Sequence, residues 1–372
     1  MKNPIIFDPT LHRLKEIESK YHPYKIMDAY KEQLEELFLV RNPRFKFNND
    51  YQEDFQQFIE EHSQGKTLEV CGKWVYFSWN SLLVHYLEDG LHQEVRTARN
   101  KNVISKEEQE KFYNFKVGIA GLSVGSHGAI TIALMGGSKY MKLADPDTIS
   151  PSNLNRIRFT FAEVGVNKAE LVAQYIYQLN PYAEIEVYSQ GVDKDNPGEF
   201  LDGLDILIEE LDDIEIKVRI REEAKKRSIP VVMATDNGDD VILDIERFDL
   251  NPDAPIFYGK LEGLDISEIK KSPRKMYEAM AKIIDVSLVP PKVLHSVMEV
   301  GKTIYSWPQL ASAATLSGAV TAYVVRKIAL GEKINEGKLR VNLDLIFDPD
   351  YKKNKGLRKE ELNKFFKALG DL

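Results

Sequence analysis

The sequence predicts an α/β protein: a doubly wound, mainly parallel sheet continued by antiparallel strands, preceded by a small N-terminal α+β region. Three observations carry this. Between residues 115 and 234, short apolar runs of strand length alternate with amphipathic segments of helix length, the pattern of parallel β-α-β units. The first run leads directly into a glycine-rich loop, GLSVGSHG, and a helix. The second ends in two carboxylates, Asp145 and Asp147, at the strand end where open parallel sheets bind ligands.

The chain bounds the answer before any motif does. Its 372 residues, 43% hydrophobic and 29% charged, suffice for one large domain or two. A formal charge of −8 gives no global argument for nucleic acid. The single cysteine, Cys71, excludes an internal disulfide and a CxxC zinc site. Behind Lys2 the N-terminus lacks the long apolar core of a secretory signal. The weakly charged run Gln309–Val325 is rich in Ser, Thr, Ala and Gly, so it reads as a buried helix rather than a membrane span. A soluble, cytoplasmic protein without membrane association is expected.

In order, Ile26–Phe38 and Tyr51–His62 have helical apolar spacing, and Lys73–Phe77 with Leu82–Leu87 suggests a hairpin. Cys71, just before it, has no close His or Lys in sequence to activate it and reads as a half-buried structural thiol. Ser105 and Glu108 form a capping box at a helix start, downstream of the basic Arg96, Arg99 and Lys101. Strands are expected at Phe115–Ala120, Tyr140–Ala144, Ile185–Tyr188, Ile206–Ile208 and Val231–Ala234. Helices are expected at Val124–Leu134, from Lys168 through Gln178, at Asn196–Leu201 and at Ile214–Arg227. Further on, Val241–Phe248 is strand-like, Ser267–Ile284 mostly helical, and Pro290-Pro291 precedes a short helix around Val293–Val300. Ala311–Leu330 is a long helix packed on the sheet, Leu339–Phe347 a late strand, and Lys352–Leu372 a basic amphipathic helix with a solvated face. The domain boundaries expected are 1–92, 93–335 and 336–372.

The glycine loop departs from G-x-G-x-x-G. Gly121 fills the first position, Ser123 replaces the second glycine and Ser126 the third, with Gly125 and Gly128 nearby. Glycines there permit a tight turn and close backbone approach to phosphates at a helix N-terminus. Asp145 lies 24 positions after Gly121, where a ribose-binding acid is expected. An Asp before Pro146 can equally close a strand in an Asx turn. Asn153, Arg156 and Lys168 then supply amide and cationic groups suited to phosphates, and Asp212 and Asp213 follow the fourth strand.

Given these residues, the chain resembles the ThiF/MoeB/HesA superfamily, the adenylating domain of ubiquitin-activating enzymes, which has a Rossmann-like fold. The resemblance runs from Arg96 to Thr235 and more weakly to about Leu330. It rests on D-x-D-x-x-x-x-S-N-L-x-R (Asp145, Asp147, Ser152, Asn153, Leu154, Arg156), on V-G-x-x-K (Val164, Gly165, Lys168) and on Leu179-Asn180-Pro181. The form GLSVG, the N-terminal region and the W-P-Q segment at Trp307 resemble a bacterial ThiF-like branch without a catalytic cysteine or zinc CxxC pairs.

The resemblance implies roles. Gly121, Ser123 and Gly125 form the nucleotide loop, and Asp145 binds the ATP ribose beside Asp147. Asn153, Arg156 and Lys168 hold the phosphates. Asp212, in EELDD where the family has D-x-x-D-N, holds Mg2+, and Asp213 replaces the usual Asn. Arg99, in RTARN, matches an Arg that reaches the partner subunit's ATP site, which implies a homodimer. Arg99, Arg156, Lys168 and Asp212 are then the catalytic set. A substrate carboxylate attacks the α-phosphate and pyrophosphate leaves. The substrate expected is a ubiquitin-like protein or peptide with a free C-terminal carboxylate, with tRNA less favoured. No cysteine follows the nucleotide segment, so no thioester step of its own is expected. Two other readings stay open: an NAD-dependent oxidoreductase, whose ribose Asp145 would suit equally, and a non-catalytic nucleotide-binding scaffold.

Overall fold

Strands β1 (Ile5–Phe7), β2 (Lys25–Met27), β3 (Lys73–Phe77) and β4 (Leu82–Tyr86) form a sheet of order β1-β3-β4-β2 in the computed structural model, which describes residues 2–48, 50–264, 269 and 272–370. This sheet belongs to the first of two compact units, made of Met1–Tyr113, Ala133–Gly136 and Gln174–Ala183. The expected hairpin is β3–β4. Around it pack helices α1 (Leu14–Tyr21), α2 (Tyr30–Arg41), α3 (Gln52–Ser63) and α4 (Asp89–Arg96). One apolar cluster gathers Tyr30, Leu34, Leu37, Phe38, Phe45 and Phe55, and another Phe7, Ile17, Trp74, Tyr76 and Leu83. Helix α5 (Lys106–Asn114) starts at the expected capping box, with Ser105 N–H donating to Glu108 Oε2 at 2.8 Å and Glu108 N–H to Ser105 Oγ at 3.2 Å.

The helix expected over Ile26–Phe38 is corrected. Lys25–Met27 pairs in parallel with Leu82–Val84, and the helix begins only at Tyr30, whose N–H donates to Asp28 Oδ1. A partner strand outcompetes local helical spacing there. Strand β1, three residues long, is too short to show a period, and helices α1 and α4 lie in charged segments whose apolar period is too sparse to read. Cys71 sits just before β3, half-buried, with burial pushing its thiol pKa up, which agrees with an unactivated thiol.

The second unit, Asn114–Ile132, Gly137–Ala173 and Glu184–Leu372, carries the other sheet. Its strands are β5 (Val117–Ala120), β6 (Tyr140–Ala144), β7 (Glu184–Tyr188), β8 (Ile206–Glu209), β9 (Val231–Asn237), β10 (Asp240–Glu246) and β11 (Gly337–Val341), in the order β11-β10-β9-β8-β5-β6-β7. The five strands β9-β8-β5-β6-β7 run parallel in the doubly wound order. β10 and β11 continue the sheet antiparallel. β5 and β8 are buried along their whole length, which explains their unbroken apolar composition. The order reverses beside β5, so the crevice at the carboxyl ends of β5, β6 and β8 is the switch point of the fold.

Helices α6 (Gly125–Leu134), α7 (Lys168–Leu179), α8 (Pro197–Leu201) and α9 (Ile214–Lys226) connect the parallel strands. Helix α6 ends where expected: Gly136 takes φ +71° and Gly137 N–H donates to the Ile132 carbonyl at 2.9 Å, a glycine C-cap. Helix α10 (Pro273–Ile284) is the described part of the expected Ser267–Ile284 helix; residues 265–268, 270 and 271 lie outside the described residues. After it come α11 (Pro291–Met298) and α12 (Ala311–Ala329), which packs on β9 and β10. The late strand stops at Val341, not Phe347. Asn342 Oδ1 accepts the Leu345 N–H at 2.9 Å and starts a short helix, α13 (Asp344–Phe347), before α14 (Lys355–Gly370). Among the described residues no helix is long and apolar enough to cross a membrane.

Candidate functional site

The site is built on the turn between β5 and α6. Gly121 has φ +90°, and a Cβ there would lie 2.3 Å from the Glu210 carbonyl oxygen. The loop therefore runs against the backbone at the end of β8, and only glycine fits. At Gly125 an added Cβ would meet Ile119 at 3.0 Å. Gly128 has ordinary room, with Thr321 at 3.6 Å. The glycine in the expected first position is thus the indispensable one.

Asp145 ends β6 almost fully buried, 4% exposed. Its Oδ2 accepts the Leu122 N–H at 2.6 Å and its Oδ1 the Asp147 N–H at 2.8 Å. Burial raises its pKa, opposed by Lys168 and these two N–H groups. Lys168, the first residue of α7, places Nζ 2.8 Å from Asp147 Oδ2 and 3.8 Å from Asp145 Oδ1. Asn167 Nδ2 donates to the Asp145 and Asp147 carbonyls at 2.9 and 3.2 Å. Asp145, Asp147 and Lys168 are therefore brought together as one cluster beside the glycine loop.

Asn153 caps the short 3-10 turn Pro151–Asn155, its Oδ1 accepting the Ser150 N–H at 3.1 Å. Arg156 follows that turn half-buried. Its Nη1 donates to the Ser152 carbonyl at 3.3 Å and to Asn155 Oδ1 at 3.0 Å, and Asp236 and Asp212 lie close enough to favour its charge. Asp212 is exposed in the loop after β8. Asp213 caps α9, its Oδ1 accepting the Glu215 and Ile216 N–H groups at 2.8 and 3.2 Å. An aspartate thus fills the N-cap position as well as an asparagine would. Arg99 belongs to the first unit, exposed on a 3-10 turn, Ala98–Asn100.

Residues not singled out from the sequence also stand here. Glu209 is buried at the end of β8, paired with Arg221 and with Lys217 at 3.0 Å, and it accepts the Leu211 N–H at 2.7 Å. These cations hold its pKa down against burial. Burial instead drives the Glu210 carboxyl well up, while its Oε1 accepts the Ala234 N–H at 2.7 Å. Asp236, at the end of β9, accepts the Ser317 hydroxyl at 2.9 Å, and burial raises its pKa to about 6. His127, on the first turn of α6, is 1% exposed. Chain pattern alone marks none of these, because a buried acid at a strand end looks like any turn acid.

Among the described residues, six buried side-chain polar atoms lack a hydrogen bond of ordinary geometry. Four belong to these elements: Ser123 Oγ, His127 Nδ1, Arg156 Nε and Asp236 Oδ2. Buried polar groups are nearly always satisfied, so the concentration marks a place where a polar ligand fits. No group of three or more His, Cys, Asp or Glu side chains among the described residues is arranged to hold a metal. The exposed Asp212 carboxylate suits Mg2+, which keeps most of its waters and takes one or two carboxylates with substrate phosphates.

Comparison with known proteins decides the family. The profile of the ThiF family matches residues 97–238. Over 180 residues the chain is 31% identical to the tRNA threonylcarbamoyladenosine dehydratase of Bacillus subtilis (strain 168), covering 46% of this chain and 69% of that protein. This chain belongs to the ThiF family. A second relative, the uncharacterized protein MT1398 of Mycobacterium tuberculosis (strain CDC 1551 / Oshkosh), is 36% identical over 282 residues, 76% of this chain and 39% of its own. The chain thus spans about two fifths of that relative's length. The E. coli tRNA N6-threonylcarbamoyladenosine dehydratase solved in complex with ATP aligns with a TM-score of 0.47 at 18% identity, covering 66% of this chain and 97% of that one. The superfamily expected from Asp145, Asn153, Arg156 and Lys168 is the one found.

Proposed function

We propose that this ThiF-family chain is an ATP- and Mg2+-dependent adenylyltransferase that activates a carboxylate as an acyl-adenylate, within a catalytic domain of residues 93–335. The supporting observation is the set of unpartnered buried polar atoms on the glycine loop, its helix and the neighbouring segments, Arg156 Nε among them. A guanidinium held beside a phosphate-type loop needs an anion to complete its hydrogen bonds.

In this reading the loop backbone from Gly121 to Gly125 and the Ser123 hydroxyl receive the phosphates. Asp145 holds the loop and faces the ribose, with Asp147 beside it. Lys168 has three N–H donors, of which its carboxylate neighbours use at most two. Asn153 Nδ2, Arg156 and Lys168 then bind the triphosphate. Mg2+ on Asp212 would neutralise charge on the leaving pyrophosphate. A carboxylate nucleophile is already ionised, so the residues need only position it and stabilise developing charge. Arg99 is kept as the residue reaching a second copy's site in a homodimer. Relatives carry names that refer to tRNA modification. With a net charge of −8, we favour a peptide or ubiquitin-like C-terminus over a tRNA-borne carboxylate. The one cysteine of this sequence, Cys71, precedes the nucleotide segment, and we favour transfer of the adenylate to a nucleophile other than this thiol.

Calorimetric titration of the full chain tests the nucleotide. Saturable binding of Mg-ATP with no binding of NAD supports the reading, and the reverse preference defeats it.

A further inference from the structure

His127 is the one buried histidine on the glycine-loop helix, and neither the family motif nor the proposed chemistry assigns it a task. Its Nε2 lies 2.6 Å from the Arg156 carbonyl oxygen. A carbonyl only accepts, so the proton on that contact is His127's. Nδ1 has no partner, and burial lowers the pKa of the ring. The neutral ring leaves Nδ1 as a lone pair, whereas a charged ring would bury a second, unpaired N–H. The opposite wall is tight as well. A Cβ added to Gly318 of α12 would sit 2.5 Å from His127 Cβ and 2.7 Å from its carbonyl carbon, so the helix backbone closes on this histidine.

Arg156 needs such a restraint. It follows the 3-10 turn with φ −145° and ψ −17°, outside regular structure. Its N–H donates to the Asn153 carbonyl at 3.0 Å, and the His127 contact fixes its carbonyl. With both peptide groups held, the guanidinium starts from a defined place. Its Nη1 donates to the Ser152 carbonyl and to Asn155 Oδ1, and its Nε is left unpaired.

We propose that His127, as the neutral Nε2–H tautomer, is a positioning residue that pins the Arg156 main chain and thereby aims its guanidinium at the anion received by the glycine loop. The inference rests on the nucleotide reading above, because it supplies the anion.

The test is a double-mutant cycle read by ATP affinity, using His127→Asn, His127→Gln and Arg156→Ala in the full chain. A Gln amide can place its N–H where Nε2 stood, and the shorter Asn cannot. His127→Asn is expected to weaken ATP binding about tenfold when Arg156 is present, the size of one lost hydrogen bond. With Arg156→Ala in place it should cost less than about twofold, and His127→Gln should recover most of the loss. Equal losses in both backgrounds, or a Gln variant as weak as Asn, would overturn the proposal, since a merely structural role behaves that way. Nitrogen-15 NMR of the imidazole is a second arm that needs no nucleotide: a proton on Nδ1 instead of Nε2 also overturns it. If the wild-type chain binds no ATP, the nucleotide reading fails and takes this inference with it. Additive losses or the wrong tautomer with ATP binding intact defeat only the role of His127.

Discussion

The Leu122 N–H donates to Asp145 Oδ2 at 2.6 Å, tying the glycine loop to the end of the neighbouring strand. Asp145 also accepts the Asp147 N–H at 2.8 Å, so one buried carboxylate shapes both walls of the proposed nucleotide site. Removing it orphans two donors at once. Asp145→Ala is expected to lower unfolding free energy by about 2–4 kcal/mol, since each unsatisfied buried group costs roughly 1–3 kcal/mol. Urea denaturation measures this, and ATP titration of the folded variant should show affinity lost beyond detection.

The glycines divide sharply. Gly121→Ala places a Cβ against the Glu210 carbonyl at a positive φ and is expected to destabilise by at least about 2 kcal/mol. Gly128→Ala meets only ordinary contacts and should be neutral or stabilising by up to about 1 kcal/mol. Thermal melts of the two variants side by side check the contrast.

The parallel half of the second sheet was legible because β5 and β8 are buried on both faces and read as unbroken apolar runs. The acid at 145 was legible because strand, loop and helix lengths fix its place. The N-terminal sheet was not. Its edge strands Ile5–Phe7 and Lys25–Met27 are three residues each, too short for a period, and they exist only through partners distant in sequence. The same limit hid Asp236 and Glu210. Burial raises both pKa values, and it involves segments distant in sequence: Ser317 of α12 at Asp236, and Ala234 of β9 with the glycine loop at Glu210. His127 lies in the loop GLSVGSHG, but nothing in sequence shows that its partner is the carbonyl of Arg156.

Asp236 gives a pH signature. In the folded chain its carboxyl keeps its proton up to about pH 6, whereas an unfolded aspartate loses it near pH 3.9. Between those values the folded state binds the extra proton, so stability falls as pH rises, and the full penalty stands above pH 6. Asp236→Asn removes the charge while leaving an acceptor for the Ser317 hydroxyl. It should stabilise the chain by about 1–3 kcal/mol at pH 8, with the gain shrinking toward pH 4. Denaturation curves across that range report it.

Lys168 is held between Asp145 and Asp147, so Lys168→Met breaks a buried ion pair as well as a phosphate contact. Some loss of stability is expected, but the effect on turnover should dominate, on the order of 10²-fold or more. Asp212→Ala, at an exposed position, should lower turnover comparably while leaving the melting temperature unchanged. A variant that keeps full activity would remove its residue from the proposed machinery.

The central claim is chemistry at the α-phosphate of ATP, and incorporation of labelled pyrophosphate into ATP reads that step alone. With a cognate carboxylate and Mg2+, the chain should catalyse exchange, and Lys168→Met and Asp212→Ala should abolish it. No exchange with peptide, ubiquitin-like or tRNA-borne carboxylates, in a chain that binds NAD instead of ATP, would contradict the account.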